Sequence, residues 1–519
     1  MRKSFANPRL KLALGGLLIL ACCIGGSHSA AAFGFGRMGG FGRPVMGLPL
    51  WRRLPPPRGG RFVGRTPGRH GWPPHHPPIV GGGGIVGGGM VGGAAVRGGG
   101  NNSGGVAAPN NPPFVPDEIV TSFAAGTTPQ GIAQFARRYD LTQLETQGFP
   151  LIATSLYRWR IGDARSVASV VQALGSENIV ASVQPNYLFT LQQQAATAHS
   201  AAPNDAAQYV LTELQIEQAH LVATGRAVVV AVIDSEIDAK HPDLDGAVVK
   251  SFDALAGSDT PHSHGTSIAG AIVAHGKLMG IAPGARLLAV HAFDDSPGVA
   301  KGTSFAVYKG LQWAADNDAR VVNMSFAGPA DPMLARMLAA AYAKGIVLVA
   351  AAGNAGPQSE PLYPAADPDV IAVTATDNGD HLFPMANRGR YIAVAAPGVD
   401  ILALAPGDAY QLASGTSIAA AHVSGIAALL LERNPALKPS DIRSILITTA
   451  KPLGPPRPDS EFGAGLVNAY RAVTWLDRKP IAPIMAPIMA PIMAPVTAPA
   501  TAPIAPPVTT PTGGARAKQ

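Results

Sequence analysis

Five short runs in this chain are apolar almost throughout: VVVAVID (228–234), ARLLAVHAF (285–293), ARVVNMSF (319–326), GIVLVAA (345–351) and VIAVTA (370–375). A strand with one wet face alternates apolar and polar residues, so runs that do not alternate are strands covered on both sides. Between them lie helical stretches such as SFAVYKGLQWAADN (304–317) and PMLARMLAAAYAKG (332–345). This alternation predicts an α/β domain over 208–478, a mainly parallel sheet with helices on both faces, long enough for one large core.

Two of the runs lead to residues able to do chemistry, and two further motifs supply their partners. Asp234 closes the first, in AVIDSEID, and so stands at a strand's carboxyl end, where open α/β sheets place their ligand sites. His264 opens HGTSIAG and Ser417 lies in SGTSIAAAHV, each followed by small residues suited to a helix packed closely on a sheet. A hydroxyl becomes nucleophilic when an imidazole takes its proton, and a buried carboxylate on the other ring nitrogen fixes the tautomer. Ser417, His264 and Asp234 fit nucleophile, base and acid. The fourth run leads through Gly353 to Asn354, a neutral amide able to stabilise an oxyanion together with the Ser417 amide at a helix start.

With these motifs in this order, and with GIAPGARLLAVHAF (280–293), ARVVNMSFAGP (319–329), YPAADPDVIAVTATD (363–377), AAPGVDI (395–401) and GAGLVNAYRAV (463–473), the chain resembles the subtilisin-like serine proteases. The resemblance implies a serine endopeptidase working through an acyl-enzyme, without a cofactor for catalysis, on protein or peptide substrates. It also implies that substrate lies as an added strand between Ser325, Phe326 and Ala327 on one side and Ala300, Lys301 and Gly302 on the other. Ala327 stands where the family usually has Gly, which points to a small or medium apolar side chain before the cut. Other departures are Glu236 after Asp234-Ser235, strained if φ there is positive, Ser267 in place of a second His, and Ala421 in place of a Pro. A catalytically impaired subtilisin-like fold, serving as a peptide-binding or scaffold protein, and a serine esterase are the competing classes. His241, His262, His291 and His422 read as structural or surface residues. Asp243, Asp245 and Asp253 are possible calcium ligands, but without a compact ligand-spaced loop they read as solvated surface, leaving metal binding open.

The flanking segments speak to export and maturation. Basic residues Arg2, Lys3, Arg9 and Lys11, the apolar run Leu12 to Ile24 and then small residues read as a signal peptide over 1–31. Cys22 and Cys23 are the chain's only cysteines; LILAC also resembles a lipoprotein cleavage site, leaving a lipid anchor at Cys22 as the alternative. Residues 32–115 are rich in Gly, Pro and Arg and read as disordered. That arm explains the basic chain, since from 117 onward there are 27 basic against 33 acidic residues. The positive charge therefore argues for no nucleic-acid partner; the arm is either a solvated spacer or weakly attracted to anionic cell-surface polymers. Over 116–193 the order strand, helix, strand, strand, helix, strand predicts a small α+β domain. By resemblance it is a ferredoxin-like inhibitory propeptide, the chain's own intramolecular partner, or else a retained binding domain. Residues 194–207 form a linker, with cutting expected within 192–207, and 479–519, with its APIM repeats, reads as an extended Pro/Ala-rich tail.

Overall fold

The structure, a computed structural model, describes residues 113–192, 208–257, 260–294, 300–454 and 459–477. The expected signal peptide, the linker 194–207, the tail and nearly all of the Gly/Pro-rich arm lie outside them.

Residues 113–192 alternate polar and apolar side chains and form β1 (Phe114–Phe123), α1 (Pro129–Arg138), β2 (Leu141–Phe149), β3 (Thr154–Ile161), α2 (Val167–Leu174) and β4 (Val180–Leu191). The strands are antiparallel in the order β4-β1-β3-β2, the ferredoxin-like arrangement. Each helix starts where a hydroxyl can accept an unpaired amide: Thr128 from Gly131 N and Ser166 from Ser169 N. Both helices close over Ile119, Phe135, Trp159, Val170 and Leu174, the centre of a small core.

The larger domain continues with α3 (Tyr209–Glu213), α4 (Ile216–His220), β5 (Val229–Asp234), β6 (Val248–Asp253), α5 (Ser263–Val273), β7 (Arg286–His291), β8 (Lys301–Thr303), α6 (Ser304–Asp316), β9 (Val321–Met324), β10 (Phe326–Ala327) and α7 (Pro332–Ala343). After these come β11 (Val347–Ala351), β12 (Val370–Thr376), β13 (Ile392–Pro397), the hairpin β14 (Ile401–Ala405) and β15 (Ala409–Ala413), α8 (Thr416–Arg433), α9 (Pro439–Thr449) and α10 (Ala469–Trp475).

The expected parallel sheet has seven strands in the order β13-β12-β11-β9-β5-β7-β6. Its two faces belong to different cores. Val230 and Val232 of β5 join α5 and α8 on one side, and Ala231 and Ile233 join α6 and α7 on the other. Helix α8 is buried along its first 16 residues, which its many alanines permit. The chain lays β6 and β7 to one side of β5 and β9, β11, β12 and β13 to the other, so the sheet reverses direction beside β5, where a crevice opens at the carboxyl ends.

The small domain sits on the α6 and α7 face. Its Val120, Phe149, Leu156 and Phe189 enter the same core as Phe305, Tyr308 and Met337. Polar contacts fix the seam around the buried Asp331, the N-cap of α7. Its carboxylate accepts from Met333 N and Leu334 N at 3.0 Å, from Ser304 Oγ at 2.6 Å, from Tyr308 Oη at 2.5 Å and from Gln184 Nε2 of β4 at 2.8 Å. The Asn186 side chain of β4 in turn accepts from Phe305 N, in the first turn of α6, at 3.2 Å.

Candidate active site

Asp234, last residue of β5, is fully buried at the crevice. His264, second residue of α5, is presented by a helix start that His262 caps, its Nδ1 accepting from His264 N at 3.1 Å. Ser417 is the second residue of α8. The three converge: His264 Nδ1 lies 2.6 Å from Asp234 Oδ1 and His264 Nε2 lies 3.2 Å from Ser417 Oγ. Asp234 Oδ1 also accepts from Ser235 N at 2.7 Å, which locks the carboxylate toward the imidazole. Its Oδ2 is buried without a partner among the described residues.

Asn354 follows Gly353, whose φ of 113° turns the chain out of the sheet. The Asn354 amide is oriented from behind, its Oδ1 accepting from Thr416 Oγ1 at 2.8 Å and Thr416 N at 3.1 Å. Only the donor end is then free to face the crevice. Beneath Ser417 a buried relay runs from Ser424 Oγ to Asn323 Oδ1 (2.9 Å), from Asn323 Nδ2 to Ser325 Oγ (2.8 Å) and from Ser325 Oγ to Ser417 O (3.0 Å). Thr416 and Asn323 escaped the sequence reading, because neither stands out among ordinary residues of a buried helix start and strand.

The crevice is occupied by the end of β4. Phe189 and Thr190 pair antiparallel with Gly302 and Lys301 of β8, and Leu191 N donates to Ala300 O at 3.3 Å. On the other side Thr190 and Leu191 pair with Ala327 and Phe326 of β10, and Gln192 N donates to Ser325 O at 3.2 Å. Ser325, Phe326 and Ala327 thus lie along one side of this strand and Ala300, Lys301 and Gly302 along the other. The Phe189 ring lies over Gly328, where a Cβ would come within 2.4 Å of it, and edge-on to Phe326. The strand ends with the Gln192 carbonyl oxygen accepting from Asn354 Nδ2 at 2.8 Å and from Ser417 Oγ. Among the described residues, Asn354 Nδ2 and Ser417 Oγ are the donors to that oxygen in the crevice.

Several sequence expectations change. The residue of this chain that lies at the crevice is the polar Gln192, while Ala327 pointed to a small or medium apolar side chain before the cut in substrates. Asp243 is not solvated: it is 1% exposed and accepts from Lys277 N at 3.0 Å and Leu278 N at 2.7 Å, backbone amides taking the place of water. Asp245 is exposed, and Asp253 caps the following turn through Leu255 N and Gly257 N. Among the described residues no group of three or more His, Cys, Asp or Glu is arranged to hold a metal ion. Glu236 does not have a positive φ, so it carries no such strain, and its carboxylate lies 3.6 Å from His291 Nδ1. Ser267 ties α5 to the β14-β15 hairpin, donating to Leu404 O at 2.8 Å. His422 is buried in α8 against Pro397 O, and burial pushes its pKa down to about 4, leaving a neutral structural imidazole.

The comparisons with known proteins agree with this geometry. Residues 225–465 match the Subtilase family. The chain is 36% identical over 323 residues to the thermophilic serine proteinase of Bacillus sp. (strain AK1), covering 60% of this chain and 77% of that one. It is 37% identical over 285 residues to thermitase of Thermoactinomyces vulgaris, covering 53% of this chain and 99% of that protein. The crystal structure of fervidolysin from Fervidobacterium pennivorans, described as a keratinolytic enzyme related to subtilisin, superposes with a TM-score of 0.61 at 24% identity over 73% of this chain and 63% of its own. With near-complete coverage of thermitase and an Asp, a His and a Ser meeting where the parallel sheet reverses, the chain belongs to the subtilase family and is a serine-type endopeptidase.

Proposed function

We propose that Ser417, His264 and Asp234 are the catalytic triad, that Asn354 is an oxyanion donor, and that the enzyme's first substrate is its own Gln192–Gln193 bond. The observation that carries this reading is the Gln192 carbonyl, held between Ser417 Oγ and Asn354 Nδ2 at the end of a two-sided strand pairing. Ser417 Oγ adds to the Gln192 carbonyl carbon as His264 Nε2 takes its proton. The developing oxyanion is met by Asn354 Nδ2 and the Ser417 amide. Collapse breaks the bond to Gln193, whose nitrogen leaves with the proton from His264. Water, deprotonated by the same imidazole, then releases the Gln192 carboxylate from Ser417. Side chains, backbone and water suffice for every step.

On this reading residues 113–192 are an inhibitory propeptide: the strand that is cut stays in the crevice as product, held by the Asp331 seam. Other protein or peptide substrates enter as the same added strand once it leaves. The basic, apolar and small-residue sequence of 1–31 supports export, with the arm and tail outside the cell membrane. The competing binding-protein reading loses its main support, since Glu236 is unstrained and the reacting groups are in register.

The test is expression of the full chain and its Ser417→Ala variant, with a fluorophosphonate probe and mass analysis. Labelling that requires Ser417, and a new terminus at Gln193 formed only in the wild type, are the expected outcome. A folded wild type that is neither labelled nor cut would overturn the reading.

A further inference from the structure

We infer that the crevice selects a glutamine before the cut bond, and reads it with the backbone amide of Asn354. This rests on the reading of Gln192–Gln193 as the bond attacked. Gln192 is only 8% exposed, yet its side chain does not extend away from its own strand. Its Oε1 accepts from Asn354 N at 2.8 Å, and its Nε2 donates to Thr190 O and Thr190 Oγ1, both at 3.1 Å. A glutamine amide has two donor hydrogens and one acceptor oxygen, and here all are used. The enzyme supplies one N–H, and the substrate supplies the rest from two residues upstream.

This arrangement discriminates by chemistry rather than size. Methionine has nearly the same length but no acceptor for Asn354 N and no donor for Thr190, so the enclosed polar groups lose their partners. Glutamate keeps the acceptor but sets a second anionic oxygen against the Thr190 carbonyl and puts negative charge beside the forming oxyanion. Asparagine is one methylene too short to span Asn354 N and Thr190. The substrate class is therefore an extended segment with glutamine before the cut and a hydroxyl residue two positions before it, as in the chain's own Thr-Leu-Gln (190–192).

The experiment uses the processed enzyme from the full chain and quenched fluorescent peptides spanning the sequence of residues 187–194. The Gln192→Met peptide is expected to lose about tenfold or more in kcat/KM and Gln192→Glu about a hundredfold. Thr190→Val should slow the glutamine peptide several-fold and leave the methionine peptide unchanged, because the two positions act as one unit. Equal or faster cleavage of the methionine peptide, with casein still cleaved in a Ser417-dependent way, overturns this inference alone. Loss of Ser417-dependent cleavage on casein and on every peptide overturns the triad reading beneath it.

Discussion

All seven residues of β12 are buried, whereas β2 buries only Leu141 and Phe149 at its two ends. The first strand belongs to a sheet that carries its own cover on both faces. The second belongs to a sheet covered on one face by two short helices and on the other by α6 and α7 of its neighbour. The large domain is therefore stabilised from within, whereas the small one completes its burial only by docking. If the small domain is the inhibitor proposed above, it is held while the seam is intact and becomes vulnerable once it leaves.

The largest expected effect separates holding from cutting. Ser417→Ala should keep β4 in the crevice but lower self-cleavage on the order of 10⁶-fold, the magnitude established for the serine of subtilisin itself; intact precursor on a gel with unchanged melting is the readout. Next, Phe135→Ala empties the centre of the small core and should cost about 3–5 kcal/mol there. That is a large part of what a domain of this size has, so precursor processing should fail while a large domain already processed melts as before. Equal destabilisation of both domains by calorimetry would break the comparison.

Asn354→Ala should then lower kcat by about 10²–10³, as loss of the oxyanion asparagine does in subtilisin, with the small domain still bound. Smaller again is a pH effect confined to the large domain. Because His422 is held neutral, with a pKa of about 4 against an ordinary 6.5, the folded state binds fewer protons than the unfolded one between those values. Stability should fall by about 1.4 kcal/mol per unit as pH drops through that window. Glu213 works the other way: burial first, then Asp380, raises it to about 7, so its contribution is present below about 4.5 and lost as pH rises through 7. Because the two slopes oppose each other between about 4.5 and 6.5, the His422 part is read by comparison with His422→Gln: a variant whose melting changes with pH as the wild type's does over pH 6.5 to 4 would exclude the His422 account. The smallest effect is at the seam, where Gln184→Ala removes one of five donors to Asp331 and should weaken docking by about 1 kcal/mol, read as faster release of the cut small domain.

The parallel sheet was legible because unbroken apolar runs have few other uses, and the meeting of Asp234, His264 and Ser417 because each stands at the end or start of a buried element. The order of small-domain strands followed from its alternation of elements. What escaped was decided by contacts between distant segments. Nothing near Asp243 shows that Lys277 and Leu278 will turn their amides to it. Gln184 is an ordinary strand glutamine until α7 arrives with Asp331. Gln192 sits in a run of three glutamines, and its place at Ser417 depends on where β4 begins, 12 residues earlier.

That dependence makes β4 a ruler. One end is fixed in the sheet of the small domain and the other against β8 and β10, so the residue that reaches Ser417, and with it the proposed cut, is set by counting residues along a stiff strand. Strand side chains alternate, so an insertion of one residue between Asn186 and Phe189 cannot be absorbed by sliding: it would turn Phe189 off Gly328 and Gln192 away from Asn354. An insertion of two would restore the facing and shift the cut by two residues of sequence. On the proposed reading, the bond cut in maturation is thus specified by length as well as by chemistry.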